Sequence, residues 1–177
     1  MEDNKSKRNL FQEKYRIPSA RLSGWDYRKS ACYFVTICTN NMIPAFGSVL
    51  KGKMNLNDLG MFANDSIDGI NKKKEQVKIL NHMVMPNHIH LLLYLINNTD
   101  SIKSNRFGPL LKNSLSSLIN HFKGRITKYA NEKKVLWPGW YERFHDHIVR
   151  SEASYRKINQ YISENPMNWR TDRYFRK

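Results

Sequence analysis

Acidic residues are scarce in this sequence, 15 against 30 lysines and arginines, which leaves a formal charge of +15 on 177 residues. So one-sided a surface is the electrostatic footprint of a phosphate-backbone binder. Cysteine is scarcer still, with only Cys32 and Cys38. Six extended residues hold them about 20 Å apart, too far for a disulfide, so both are expected as reduced structural thiols. No apolar run approaches the roughly eighteen residues that cross a bilayer, and the opening Met1-Glu2-Asp3-Asn4-Lys5 lacks the apolar stretch of a signal peptide. The expectation is a cytoplasmic protein without a membrane partner. No internal repeat or low-complexity linker divides the chain, and 40% hydrophobic residues suffice for one domain with a real core.

The apolar pattern alternates between two periods. Tyr33 to Thr39 reads as a strand buried on both faces, and a hairpin follows with arms at 45–50 and 53–56, turning at Lys51-Gly52. Leu59, Phe62, Ala63, Ile67 and Ile70 recur at helical spacing over 57–73, with Lys72-Lys73-Lys74 as the basic helix end. Strands are expected at 77–84 and 88–96, with Met85-Pro86-Asn87 as a turn or bulge between them. A polar stretch over 97–106 reads as a mobile loop. A second helix is expected over 109–131, then a loop through Trp137 and Trp140, a short strand at 147–150, and a helix capped at Ser151 that stops before Pro166. The order implies an α+β fold: a ferredoxin-like antiparallel sheet with helices packed on one face, plus a C-terminal helix.

Two short motifs carry chemistry. In His88-Ile89-His90 strand alternation turns both imidazoles the same way and Ile89 into the core, which suits two ligands on one ion. The same pattern also describes two histidines on the exposed face of a half-buried strand. On the last helix Tyr161 and Asn165 stand four apart, on one face and about 6 Å apart along the axis. A phenol that can attack then lies near an amide oxygen that can bind a cation. A packing tyrosine beside the stripe of Tyr155, Ile158 and Ile162, with Asn165 as a helix-end residue, fits the periodicity as well.

Longer blocks then bring a family into view. Leu22-Ser23-Gly24-Trp25-Asp26-Tyr27, Tyr33-Phe34-Val35-Thr36-Ile37-Cys38-Thr39, Phe46-Gly47 and Val84-Met85-Pro86-Asn87-His88-Ile89-His90 come first. Trp137, Arg143-Phe144-His145-Asp146-His147-Ile148-Val149-Arg150 and Tyr161-Ile162-Ser163-Glu164-Asn165-Pro166 complete the series. In content and order, from about Arg21 through Trp169, the sequence resembles the single-tyrosine HUH transposases, in their REP-associated tyrosine transposase branch. The resemblance implies that His88 and His90 bind a divalent ion, that Asn165 completes the coordination, and that Tyr161 is the nucleophile. It also implies a 5′-phosphotyrosine intermediate with a free 3′-hydroxyl. One departure stands out: many relatives carry two aromatics before the Asp146-His147 pair, and here the second is His145. That histidine is either an extra ligand or a packing change. The domain reading is a basic, mobile segment over 1–20, a single catalytic domain over 21–170, and a basic C-terminal tail over 171–177.

The chemistry implied is internally consistent. A tyrosine that breaks a phosphodiester needs its phenol, ordinarily of pKa near 10, to act as phenolate while the charge on the phosphate is neutralised. Mg²⁺ or Mn²⁺ supplies that neutralisation, and zinc is disfavoured because no cysteine or third histidine lies at a zinc-finger spacing. DNA is the expected partner, single-stranded and folded as a hairpin. Arginines and aromatics interleave near both ends, so Arg21, Trp25, Arg28, Arg170 and Arg173 are DNA-binding candidates, and Arg143, His147 and Arg150 of the 143–150 block are candidates beside them. For the end segments a solvated tail with incidental aromatics stands beside this. His145 and Asp146 are candidates for support behind the ligands, with packing at the strand start equally open. A homodimer would suit two strand cleavages. The rival functions are a domesticated nucleic-acid-binding protein without cleavage and a metallohydrolase in which water attacks.

Overall fold

The structure, a computed structural model, describes residues 25–27, 29–73, 75–96 and 114–176. The segment 1–20, Arg21, Arg28 and the polar stretch 97–106 lie outside the described residues. The elements are β1 (Ala31–Thr39), the hairpin β2 (Gly47–Leu50) and β3 (Lys53–Leu56), α1 (Asp58–Lys73), β4 (Val77–Val84), β5 (His88–Leu95), α2 (Leu115–Glu132), β6 (Trp140–Val149) and α3 (Glu152–Glu164). Four strands form one antiparallel sheet in the order β4-β5-β1-β6, which is the ferredoxin-like arrangement, and β2-β3 is a separate ribbon.

Register explains the two faces of the sheet. Thr36 pairs with His90 and Cys38 with His88, while Val35 pairs with Leu91 and Ile37 with Ile89. Tyr33, Val35, Ile37, Ile89, Leu91 and Leu93 therefore share one face, where they are buried against Leu59, Ala63, Ile67, Leu115, Ile119, Phe122 and Ile126 of α1 and α2. The two helices meet through Phe62 and Tyr129, stacked at 3.9 Å. The opposite face carries the histidines, and α3 packs there against β4 and β5. Hydrophobic burial of this order, at about 25 cal/mol per Å², is the main force that fixes the register, because a one-residue slip would exchange the faces.

Several boundaries differ from the sequence expectation, among them β2, which opens at Gly47 rather than 45. Helix α2 begins at Leu115 rather than 109, because Ser114 takes extended backbone and its hydroxyl accepts from the Ser117 N–H; residues 109–113 are outside the described residues. Strand β6 starts at Trp140 and runs ten residues, not four. It is an edge strand with one face open, so its outward residues are polar and its apolar alternation is weak; main-chain pairing to β1 defines it instead. Strand β1 opens two residues early, at Ala31. The hairpin turns at Lys51-Gly52 as expected, both at positive φ (50° and 72°), the combination that matches strand twist in a two-residue turn.

Gly60 is a packing requirement inside α1. A Cβ there would collide with the Phe46 carbonyl oxygen, whereas one at Gly69 would meet nothing within 4 Å. Alanine normally gains about 1 kcal/mol over glycine in a helix. Gly69→Ala is expected to stabilise by roughly that amount, while Gly60→Ala is expected to destabilise by about 1–3 kcal/mol through overpacking. Urea unfolding of the two variants checks the contrast, and equal shifts of one sign would refute it.

Candidate active site

The turn between β4 and β5 is closed by the Met85 N–H donating to the His88 carbonyl at 2.8 Å. The Pro86 carbonyl accepts from the Ala45 and Phe46 N–H groups, and the Asn87 carbonyl accepts from Thr39. The residues that cannot extend the ladder thus anchor the start of β5 on three neighbours. His88 and His90 emerge side by side on the α3 face, both fully buried, with their Nε2 atoms 3.1 Å apart.

Each ring is held by its other nitrogen. His88 Nδ1 lies 2.9 Å from Asn87 Oδ1, and His90 Nδ1 lies 2.9 Å from the Thr36 hydroxyl. The Asn87 amide is oriented by its Nδ2, which donates to the carbonyls of Met42 and Tyr174. Its oxygen must therefore accept, so His88 carries its proton on Nδ1 and presents a lone pair at Nε2. Thr36 is different, because a hydroxyl both donates and accepts. His90 can donate from Nε2 to His88 while Thr36 donates to Nδ1, or the hydroxyl can turn and leave both Nε2 lone pairs free for an ion.

Burial keeps both rings neutral. His88 is pushed down to about 4, chiefly by desolvation, with the Asp172 carboxylate and then the Asn165 amide opposing it. His90 lies well below its ordinary 6.5 through desolvation, then the neighbouring His88 and Arg173. The unfolded chain binds these protons near pH 6.5, so between about 6.5 and 4 it holds more protons than the folded one. Stability is thus expected to fall as pH drops through that window, by about 1.4 kcal/mol for each unit separating the folded and unfolded values of one ring. Melting curves in EDTA across this range would show it. A His88→Ala, His90→Ala variant should lose the pH-dependent part, and an unchanged slope would contradict the assignment.

Helix α3 brings the second motif to the first. Ser151 caps it by accepting from the Ser154 N–H, and Asn165 is its C-cap. The Tyr161 ring lies 5.2 Å from the His90 ring and edge-on to Phe34 at 6.1 Å. Its hydroxyl donates to Asp172 Oδ2 at 2.9 Å. Burial first, then the charge and hydrogen bond of Asp172, raise the phenol above its ordinary 10, so it is protonated at neutral pH. Asn165 is buried, donates from Nδ2 to the same Asp172 oxygen at 2.6 Å, and holds its Oδ1 buried with no hydrogen-bond partner among the described residues. That oxygen is near enough to favour protonation of His88 but outside hydrogen-bonding geometry.

These residues fit a divalent ion. An unpartnered buried oxygen ordinarily costs about 1–3 kcal/mol, and a cation would remove that cost. Two nitrogens bound to one ion at about 2.1 Å and at right angles stand about 3 Å apart, close to the separation found here. Mixed nitrogen and oxygen donors with open positions suit Mg²⁺ or Mn²⁺.

The C-terminal segment was the least legible part of the site. Residues 171–177 are expected as a basic tail, and within this segment and just before it two aromatic rings lie against the histidines. Trp169 and Tyr174 are buried, and the Tyr174 ring lies 4.6 Å from that of His88. Asp172 joins His88 and His90 in a group whose ligand atoms lie within 4.8 Å of one another. Sequence reasoning missed Asp172, and missed Thr36 and Asn87 as ring partners. The one available signal was that Asp172 is the sole acidic residue after Glu164.

The remaining candidates fall into three places. Arg173 lies beside the site, with its guanidinium 4.6 Å from the Tyr174 ring, and Arg170 is exposed on the turn before it. His145 and His147 pair with Thr36 and Phe34, so they and Arg143 lie on the histidine face of β6, exposed. His145 is outside the ion-holding group found among the described residues. Asp146 pairs with Val35 and so lies on the other face, where its charge acts on Tyr33 rather than on the histidines. Trp25 and Arg150 are together at the far end of β1, the guanidinium 5.9 Å from the indole ring, and Trp25 donates to the Tyr33 hydroxyl.

No family model matches the sequence. An uncharacterized protein of Haemophilus influenzae is 30% identical over 168 residues, a match covering 89% of this chain and 92% of that protein. Among solved structures, the REP-associated tyrosine transposase bound to a REP hairpin superposes with a TM-score of 0.57 at 21% identity, over 84% of this chain and 74% of that one. No helix among the described residues is long and apolar enough to cross a membrane. The chain therefore belongs to one family with the Haemophilus influenzae protein, and it has the fold of the REP-associated tyrosine transposase, the fold that its motifs led us to expect.

Proposed function

We propose that the protein is a metal-dependent DNA transposase that cleaves and rejoins hairpin-containing single strands through Tyr161. The observation that carries this reading is the convergence, from elements distant in sequence, of the His88 and His90 Nε2 atoms with Tyr161 and Asn165, which both donate to Asp172, a carboxylate within 4.8 Å of the histidine nitrogens. His88, His90 and Asn165 would hold Mg²⁺ or Mn²⁺. When bound, such an ion withdraws charge from a phosphate oxygen and fixes the phosphate in line for attack.

The chain's own residues divide the work. Tyr161 supplies the attacking oxygen: its O–H proton is lost, a bond forms to the phosphorus, and the bond to the 3′-oxygen breaks. The 3′-oxygen leaves as a hydroxyl and the 5′ end stays on Tyr161. The phosphotyrosine keeps the energy of the broken bond, so a second 3′-hydroxyl can displace it without ATP, which suits strand transfer better than degradation. Arg173 beside the site, and Arg143, His145 and His147 along β6, offer positive or polar groups to the strand. The REP hairpin carried by the structural neighbour supports a folded single strand as substrate.

A denaturing gel tests the reading. Labelled single strands tiled across the DNA flanking the gene should give a shifted protein–DNA band in Mg²⁺ or Mn²⁺ and none in EDTA. Cleavage without a covalent band would favour a hydrolase, and tight binding of the true flank without cleavage would favour a binding protein.

A further inference from the structure

We propose that Asp172 is the positioning residue of this centre: through one carboxylate oxygen it fixes both the ligand face of Asn165 and the phenol of Tyr161. The inference rests on the metal-dependent reading above and adds to it a residue that neither motif contains.

An asparagine amide has two ends of opposite character, an oxygen that binds cations and an NH₂ that repels them. Orientation therefore decides whether Asn165 can serve a metal at all. Asp172 Oδ2 accepts from Asn165 Nδ2 at 2.6 Å. A carboxylate only accepts, so the flipped amide would set two oxygens against each other at that distance. The oxygen of Asn165 is thereby turned to the buried side where it has no hydrogen-bond partner. The same Oδ2 accepts from the Tyr161 hydroxyl at 2.9 Å. One anion thus sets the rotation of a ligand and the direction of the attacking oxygen.

The carboxylate is itself held. Its Oδ1 accepts from the Tyr174 N–H at 2.7 Å, and the Tyr174 carbonyl accepts from Asn87 Nδ2, the amide that also orients His88. Asp172 lies within ligand distance of the histidine pair, but both directions of Oδ2 are taken by Asn165 and Tyr161. It acts on the ion from behind Asn165. Residues that orient metal ligands in this way typically change metal affinity 10–100-fold when altered.

Mn²⁺ binding to the full chain, followed by the electron paramagnetic resonance of the free ion, provides a test that does not depend on cleavage. Asp172→Asn puts an NH₂ donor where the carboxylate was, and the Mn²⁺ dissociation constant is expected to rise about 10–100-fold. Adding Asn165→Asp should recover most of the loss, because a carboxylate presents an oxygen to the ion in either orientation. Wild-type affinity in Asp172→Asn, or no recovery in the double variant, overturns the proposal. Should the variants fail to fold, side-chain amide NMR of wild type decides. One fixed Asn165 amide whose carbonyl carbon shifts on Mg²⁺ addition supports it, and an amide averaging between two orientations overturns it. Undiminished Mn²⁺ binding by His88→Ala, His90→Ala would instead remove the metal reading beneath.

Discussion

Replacing Tyr161 with phenylalanine is expected to abolish the covalent protein–DNA band and to lower strand cleavage at least about a thousandfold, the scale seen when a nucleophile is deleted. The change removes only the hydroxyl. Tyr161 is 37% exposed and its ring contacts with Phe34 and His90 remain possible for phenylalanine. The lost hydrogen bond to Asp172 is worth about 0.5–1.5 kcal/mol, and Asp172 keeps its donors from Asn165 and Tyr174. Fold, DNA affinity and Mn²⁺ binding should therefore survive while the adduct disappears. Cleavage that persists in the variant would hand the attack to water, and a parallel loss of Mn²⁺ binding would mean that the phenol holds the site together.

The second large effect is expected from His88→Ala, His90→Ala. Metal-dependent cleavage should fall to background, since both nitrogen donors are gone and only the oxygens of Asn165 and Asp172 remain at the site. Affinity for the same DNA should change little, because binding to a phosphate backbone ordinarily rests on lysine and arginine charge, which this change leaves intact, and neither histidine is exposed. Gel-shift and cleavage assays on one substrate, at fixed salt, separate the two quantities. Equal loss of both would refute this division of labour. Truncating two buried rings also opens a cavity, so unfolding curves must accompany the assay.

Much of this arrangement was legible because it obeys short-range rules. The periods of β1, α1, β4 and β5 come from burial on a fixed face, and Ser151 with Pro166 brackets α3 by capping and steric exclusion. His88, His90, Tyr161 and Asn165 could be paired off within their own elements, since two- and four-residue spacings fix faces. What escaped were relations between elements. Asp146 lies next to His145 and His147 in sequence but on the other side of the sheet, a consequence of β6 extending back to Trp140. Asp172 lies in a turn of no period, and its importance comes from three donors on Tyr161, Asn165 and Tyr174. Thr36 was visible only as a strand residue until pairing set it beside His90.

The edge strand β6 has one further consequence, for how such a protein can change over time. Its odd-numbered positions, Arg143, His145 and His147, lie on the open side, while Phe144 and Ile148 pack toward the core. Exposed substitutions commonly alter stability by no more than about 0.5 kcal/mol. Alternate residues of one strand are therefore under different constraints: the outward set can drift toward a new strand sequence or shape while the inward set keeps the sheet closed. If β6 borders the strand as proposed, substrate preference and foldability would be inherited along the same ten residues without being tied to each other.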